Sequence, residues 1–122
     1  MTAADEQERT IAQTAYCLRV RGDYGSEAKA IKALLRRKGI SGLTSEFAQE
    51  ALTEQIAVLE VAQALVQTVL DRAKTTSHPH LTGEQFEAGT SFIRDELSQQ
   101  FPKLSSSIEY MMAMLWHMPR AR

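Results

Sequence analysis

The residues of this chain best suited to bind a metal or attack a substrate are three histidines, one cysteine and a scatter of carboxylates. His78 and His80 stand one residue apart around Pro79, with Glu84 and Glu87 just beyond. Two imidazoles so placed can ligate a metal, but a stable site needs a second anchored pair, and none accompanies them. A carboxylate-bridged di-metal bundle requires Glu-x-x-His on two helices, and no such tetrad occurs. His-Glu-x-x-His, a Gly-rich phosphate loop and a Gly-x-Ser-x-Gly elbow are also missing. Cys17 has no neighbouring motif to make it a nucleophile and reads as a small packing residue. Arg21-Gly22-Asp23 spells an adhesion tripeptide but reads as a helix-ending turn. No catalytic residue, metal site or cofactor is expected, and a metal-dependent enzyme built on the His78/His80 loop is the weakest of the readings.

Charge offers a second kind of chemistry. The net charge of −1 conceals a division: residues 1–43 carry +3, residues 44–100 carry −6 and residues 101–122 carry +2. Lys29, Lys32, Arg36, Arg37 and Lys38 concentrate the positive charge, and Glu46, Glu50 and Glu54 follow it. On helical wheels Lys29, Lys32 and Arg36, and likewise Glu46 and Glu50, lie opposite the apolar residues of their own segments, so both stripes face solvent and direct pairing across a hairpin is confined to flanking residues such as Glu54. Lys29, Lys32, Arg36 and Arg37 are therefore candidate contacts for an acidic partner or a nucleic-acid backbone. The segment that would enter a major groove as a recognition helix opens with glutamates, and no aromatic residues interleave the basic ones for base stacking.

A third kind is apolar. Four of the five methionines fall in Met111-Met112-Ala113-Met114-Leu115-Trp116-His117-Met118. Leu104, Ile108, Met111, Met112 and Leu115 share one arc, which suffices to bury a helix. Tyr110, Met114, Trp116 and Met118 remain as candidate partner-binding residues, since methionine re-packs easily and aromatic residues anchor interfaces.

Helices must position all of these. The expected spans are about 3–21, 26–38, 44–74, 82–100 and 105–118. Thr2 with Asp5 and Glu6 opens the first, which has a thin apolar line of Ile11, Ala15 and Leu18 and ends at Gly22-Asp23-Tyr24-Gly25. The second is bounded by Ser26 and Gly39, with Ile40 beyond the cap and Ala28, Ile31, Leu34 and Leu35 inward. The third is capped by Thr44 or Ser45 and runs about 45 Å. It carries two adjacent apolar rows, Phe47-Ala51-Val58-Ala62-Leu65-Val69 and Ala48-Leu52-Leu59-Val66-Leu70. Thr82 and Gln85 form a capping box flanked by the staple Leu81 and Phe86, and Phe86, Ile93 and Leu97 then face inward. Ser106 and Glu109 have the spacing of a second box. No stretch alternates like a strand.

The fold class expected is all-α, a single-domain bundle of about five helices spanning 1–122 with one long central helix. One cysteine, a polar acidic start and no long apolar run point to the cytoplasm and away from membranes. The function expected is a non-enzymatic helical protein-interaction module, a regulator, adaptor, inhibitor or assembly subunit, dimerising through the Met-rich last helix. The alternative is a subunit that binds nucleic-acid backbone through the basic second helix.

Overall fold

The structure, a computed structural model, describes residues 3–36, 44–76 and 78–117. Thr2, Arg37, Lys38, Gly39, Ile40 and Met118 lie outside the described residues. The chain is all-α, with no strand among the described residues. Its helices are α1 (Ala3–Tyr16), α2 (Glu27–Arg36), α3 (Ser45–Arg72), α4 (Gly83–Gln100) and α5 (Ser105–Met114). It gathers into two compact units, Met1–Leu59 and Glu60–Arg122.

In the first unit α1 meets α2, and Ala12, Ala15 and Ala30 are fully buried, small side chains that let backbones come close. Ile11, Tyr16, Leu34, Leu52, Ile56, Val58 and Leu59 are the unit's larger buried apolar side chains, the aliphatic ones contributing about 1.5–3 kcal/mol each on burial. α1 does not continue as an α-helix to residue 21. Cys17–Arg21 form a π-helical turn, closed by Gly22 at φ 71, and the N–H groups of Gly22 and Asp23 both donate to the Cys17 carbonyl. The turn ends where glycine alone adopts the left-handed conformation without strain.

Ser26 caps α2 as expected, its hydroxyl accepting from the Lys29 N–H at 3.3 Å. The inward face is rotated from the predicted one: Ala30 and Leu34 are buried, Ile31 is half-buried, and Ala28 and Leu35 are exposed. An i, i+4 pair of buried residues is all that a ten-residue helix needs, and the short Ala30 allows a closer approach than Leu35 would.

α3 begins where Thr44 accepts from the Phe47 N–H at 3.1 Å. Among its buried positions Ala48, Leu52, Gln55, Leu59, Ala62, Val66 and Val69 recur at alternating intervals of four and three, the 3.5-residue period of a coiled-coil seam, and Ile56, Val58 and Leu70 beside them are buried as well. That period takes in Gln55, only 2% exposed, and leaves out Phe47, which was expected inward and is 52% exposed. Of the two apolar rows read from the sequence, one is buried along its length, and the other is buried at Val58, Ala62 and Val69, half-covered at Ala51 and Leu65 and exposed at Phe47. α3 stops two residues short of the expected Lys74. Lys74 sits at φ 55, its N–H donating to the Asp71 carbonyl and that of Thr75 to the Leu70 carbonyl, both at 3.0 Å. This is a Schellman cap with lysine in the position that favours glycine.

In the second unit a short 3₁₀ turn, His78–His80, precedes α4. The predicted capping box is fully made: Gln85 N–H donates to Thr82 Oγ1 at 3.1 Å, and Thr82 N–H donates to Gln85 Oε1 at 2.9 Å. α4 buries Gly89, Ile93 and Leu97, and meets α5, which buries Ser107, Ile108 and Met111. The second predicted box does not form. α5 starts at Ser105 with Leu104 as a cap that makes no side-chain bond, and Glu109 instead reaches Arg94 of α4 at 3.3 Å. With Leu104 at the cap, Ser106 lies inside the first turn and does not occupy the N-cap position that the box requires.

Candidate interaction surfaces

On the first unit, Lys29, Lys32 and Arg36 are exposed on α2, and Glu46, Glu50 and Glu54 are exposed on α3, as the wheels require. None of the six makes an ion pair among the described residues. Between the two charged bands runs an apolar strip that the sequence reading had turned inward. Ala28, Ile31 and Leu35 recur at i, i+3 and i+7 along α2, and with Lys32, Gln49 and, at the N-terminal end of the strip, Glu27 they line a shallow surface depression. Leu35 is 38% exposed. Gln49 also borders the neighbouring depression, whose other residues are Glu46, Glu50 and Thr53. Crossing the face from α2 to α3, one therefore meets cations, then aliphatic groups, then an amide, then carboxylates. The signal was present in the sequence as an apolar i, i+3, i+7 row beside Lys32. Arg37 lies outside the described residues.

On the second unit the candidates of the last helix divide. Met111 and Leu115 are buried, and Tyr110, Met112 and Met114 are half-buried while Ala113 is exposed. Trp116, in the 3₁₀ turn Leu115–His117 that extends α5, is engaged from several sides. Its ring lies 5.2 Å from that of Phe86 and 6.2 Å from that of His78, tilted by 36° and 35°, within the range of favourable aromatic pairs. Its indole N–H donates to Thr90 Oγ1 at 3.2 Å. Thr90 is prepared to accept, because its own hydroxyl proton goes to the Phe86 carbonyl at 2.8 Å. A Cβ added to Gly89 would stand 3.6 Å from Trp116 Cη2 and 2.7 Å from Val69 Cγ1. Gly89 is therefore where α3, α4 and the indole come closest. A mid-helix glycine followed by threonine, three residues after a phenylalanine, was the sequence trace of this arrangement.

Phe86 was expected inward and is 39% exposed, because it serves the staple and the Trp116 face and leaves the core to Ile93 and Leu97. His78 is likewise beside the indole, and His80 is exposed. Among the described residues no group of three or more His, Cys, Asp or Glu side chains is placed to hold a metal ion. No helix among them is long and apolar enough to cross a membrane. No protein family, curated protein or solved structure gives a match to the chain. The arrangement of side chains must carry the functional argument.

Proposed function

We propose that the chain is a cytoplasmic, non-enzymatic helical interaction module that self-associates, and that its contact face is the banded surface of α2 and the first turns of α3. The observation that carries this reading is the apolar strip of Ala28, Ile31 and Leu35 set between an exposed basic band and an exposed acidic band. A twofold axis lying along the strip exchanges its two edges, so Lys32 and Arg36 of one copy come to face Glu46 and Glu50 of the other. An axis across the strip would oppose like charges and is disfavoured. The apolar strip supplies contact energy, and the bands fix the axis and speed encounter. The acidic band next to the lysines also repels phosphates, which weighs against the nucleic-acid alternative.

A second contact is the outer side of α5, where Tyr110, Ala113 and Met114 recur at helical spacing and are incompletely covered. The engagement of Trp116 with α4 ranks this side below the banded face, since the strongest anchor of α5 already has partners within its own unit. Sedimentation at low salt across a range of concentrations tests the proposal. A dimer that weakens with added salt and with Lys32→Glu/Arg36→Glu, but survives Met114→Glu, is expected. Loss with Met114→Glu alone would move the contact to α5, and a monomer at every concentration would overturn self-association.

A further inference from the structure

We infer that the second unit binds a small amphipathic anion, an apolar body with a carboxylate head, in an open groove between α3 and α4. The groove has a volume of about 340 Å³, at the lower end of the range for sites that hold small molecules. Its walls are Val69 from α3, Ala73 in the turn just past the end of α3, and Ala88, Gly89 and Phe92 from α4. Gly89 closes it against Val69, where even a methyl group would collide. Two polar side chains border it, Arg72 and Gln85, and no acidic residue does.

Both polar groups are left as donors. Gln85 Oε1 is occupied by the Thr82 N–H, so the amide NH₂ is the part of that side chain still to be satisfied. The Arg72 guanidinium stands over the Phe92 ring, 5.1 Å from its centroid, and makes no ion pair among the described residues. Arg72 and Gln85 are both solvent-exposed, so their donors at the groove rim are hydrated and can exchange water for a carboxylate, which a guanidinium binds through charge-assisted hydrogen bonds. An apolar cleft bordered by a cation without an ion pair among the described residues and by an amide donor is complementary to a ligand with an apolar chain and an anionic end. A cationic amphiphile would meet the wrong charge, and a neutral one would gain nothing from the guanidinium.

The single tryptophan of the chain lies beside the groove floor, with Trp116 Cη2 3.6 Å from the Gly89 Cβ position, and provides an intrinsic reporter. The experiment titrates the full chain with decanoate, decanol and decyltrimethylammonium below their micellar concentrations, reading Trp116 fluorescence and backbone amide shifts. Decanoate is expected to saturate at one equivalent, with shifts centred on residues 69–73 and 85–92, and to bind at least about tenfold more tightly than decyltrimethylammonium. Arg72→Gln should weaken decanoate by about tenfold and leave decanol unchanged. Ala88→Phe, at an exposed position, fills the groove without adding a second tryptophan and should block both with helicity retained. Equal affinity for the three amphiphiles, an unchanged response in Arg72→Gln, or shifts centred elsewhere would overturn the inference. The site is independent of self-association, so Lys32→Glu/Arg36→Glu should bind decanoate as the parent chain does.

Discussion

Residues 1–59 and residues 60–122 face the same packing problem with different materials. The first unit buries aliphatic and small residues, and sets Leu35 and Ile31 toward solvent between charges of opposite sign. The second collects aromatic side chains and turns them on one another, with Phe86, His78 and Thr90 around one indole. Its most conspicuous sequence feature, a methionine- and tryptophan-rich end, buries Met111 and Leu115 and engages Trp116 within the unit. The contrast shows that apolar content alone does not locate a contact surface. What flanks the apolar residues decides, because a strip bounded by unpaired charges has an orientation to offer a partner and a self-contained aromatic cluster does not.

Removing core from the second unit has the largest expected effect. Leu97→Ala deletes a fully buried side chain and should cost about 2–5 kcal/mol in urea unfolding. Leu35→Ser on the strip of the first unit, where the side chain is 38% exposed, should cost only about 1–2 kcal/mol while weakening self-association. A large loss of stability from Leu35→Ser would mean that the strip is core and would erase the contrast.

Gly89→Ala is next. The new methyl meets Val69 Cγ1 at 2.7 Å, and a valine side chain has little freedom to move aside. The overpacking cost of about 1–3 kcal/mol opposes a gain in helix propensity of about 1 kcal/mol, so net destabilisation is expected, with a change in Trp116 emission. Adding Val69→Ala should relieve the collision, so that the double variant loses less than the two single losses combined. The smallest effect has the opposite sign. Lys74→Gly removes a left-handed lysine at φ 55 and should stabilise by about 0.5–1 kcal/mol, seen as a higher urea midpoint.

Features written in local sequence were the legible ones. Thr82 with Gln85, Ser26, Thr44 and the paired glycines at 22 and 25 cap and turn as read, because each depends on residues three or four positions away. The outward direction of Lys32, Arg36, Glu46 and Glu50 was legible too, since charge avoids burial whichever neighbour packs nearby. Rotation of α2 and the fate of Phe47 were not, because a wheel with a broad apolar arc does not say which part of it meets another helix. Ser106 and Glu109 are not the capping pair because α5 begins one residue earlier, at Ser105 with Leu104 as cap, which places Ser106 inside the first turn. Trp116 read as an anchor for a partner because Gly89 and Thr90, which receive it, stand some twenty-six residues earlier in the chain. The banded face was half visible: its charges were read correctly, and its apolar strip was assigned to the core.

Self-association through that face is tested most directly by mixing two charge-reversed chains, Lys32→Glu/Arg36→Glu and Glu46→Lys/Glu50→Lys, in sedimentation at low salt. Each variant alone opposes like charges across the twofold axis and should remain monomeric, whereas the mixture restores both complementary edges and should form a one-to-one heterodimer. Dimers of either variant alone, or a mixture that stays monomeric where the parent chain dimerises, would contradict the account.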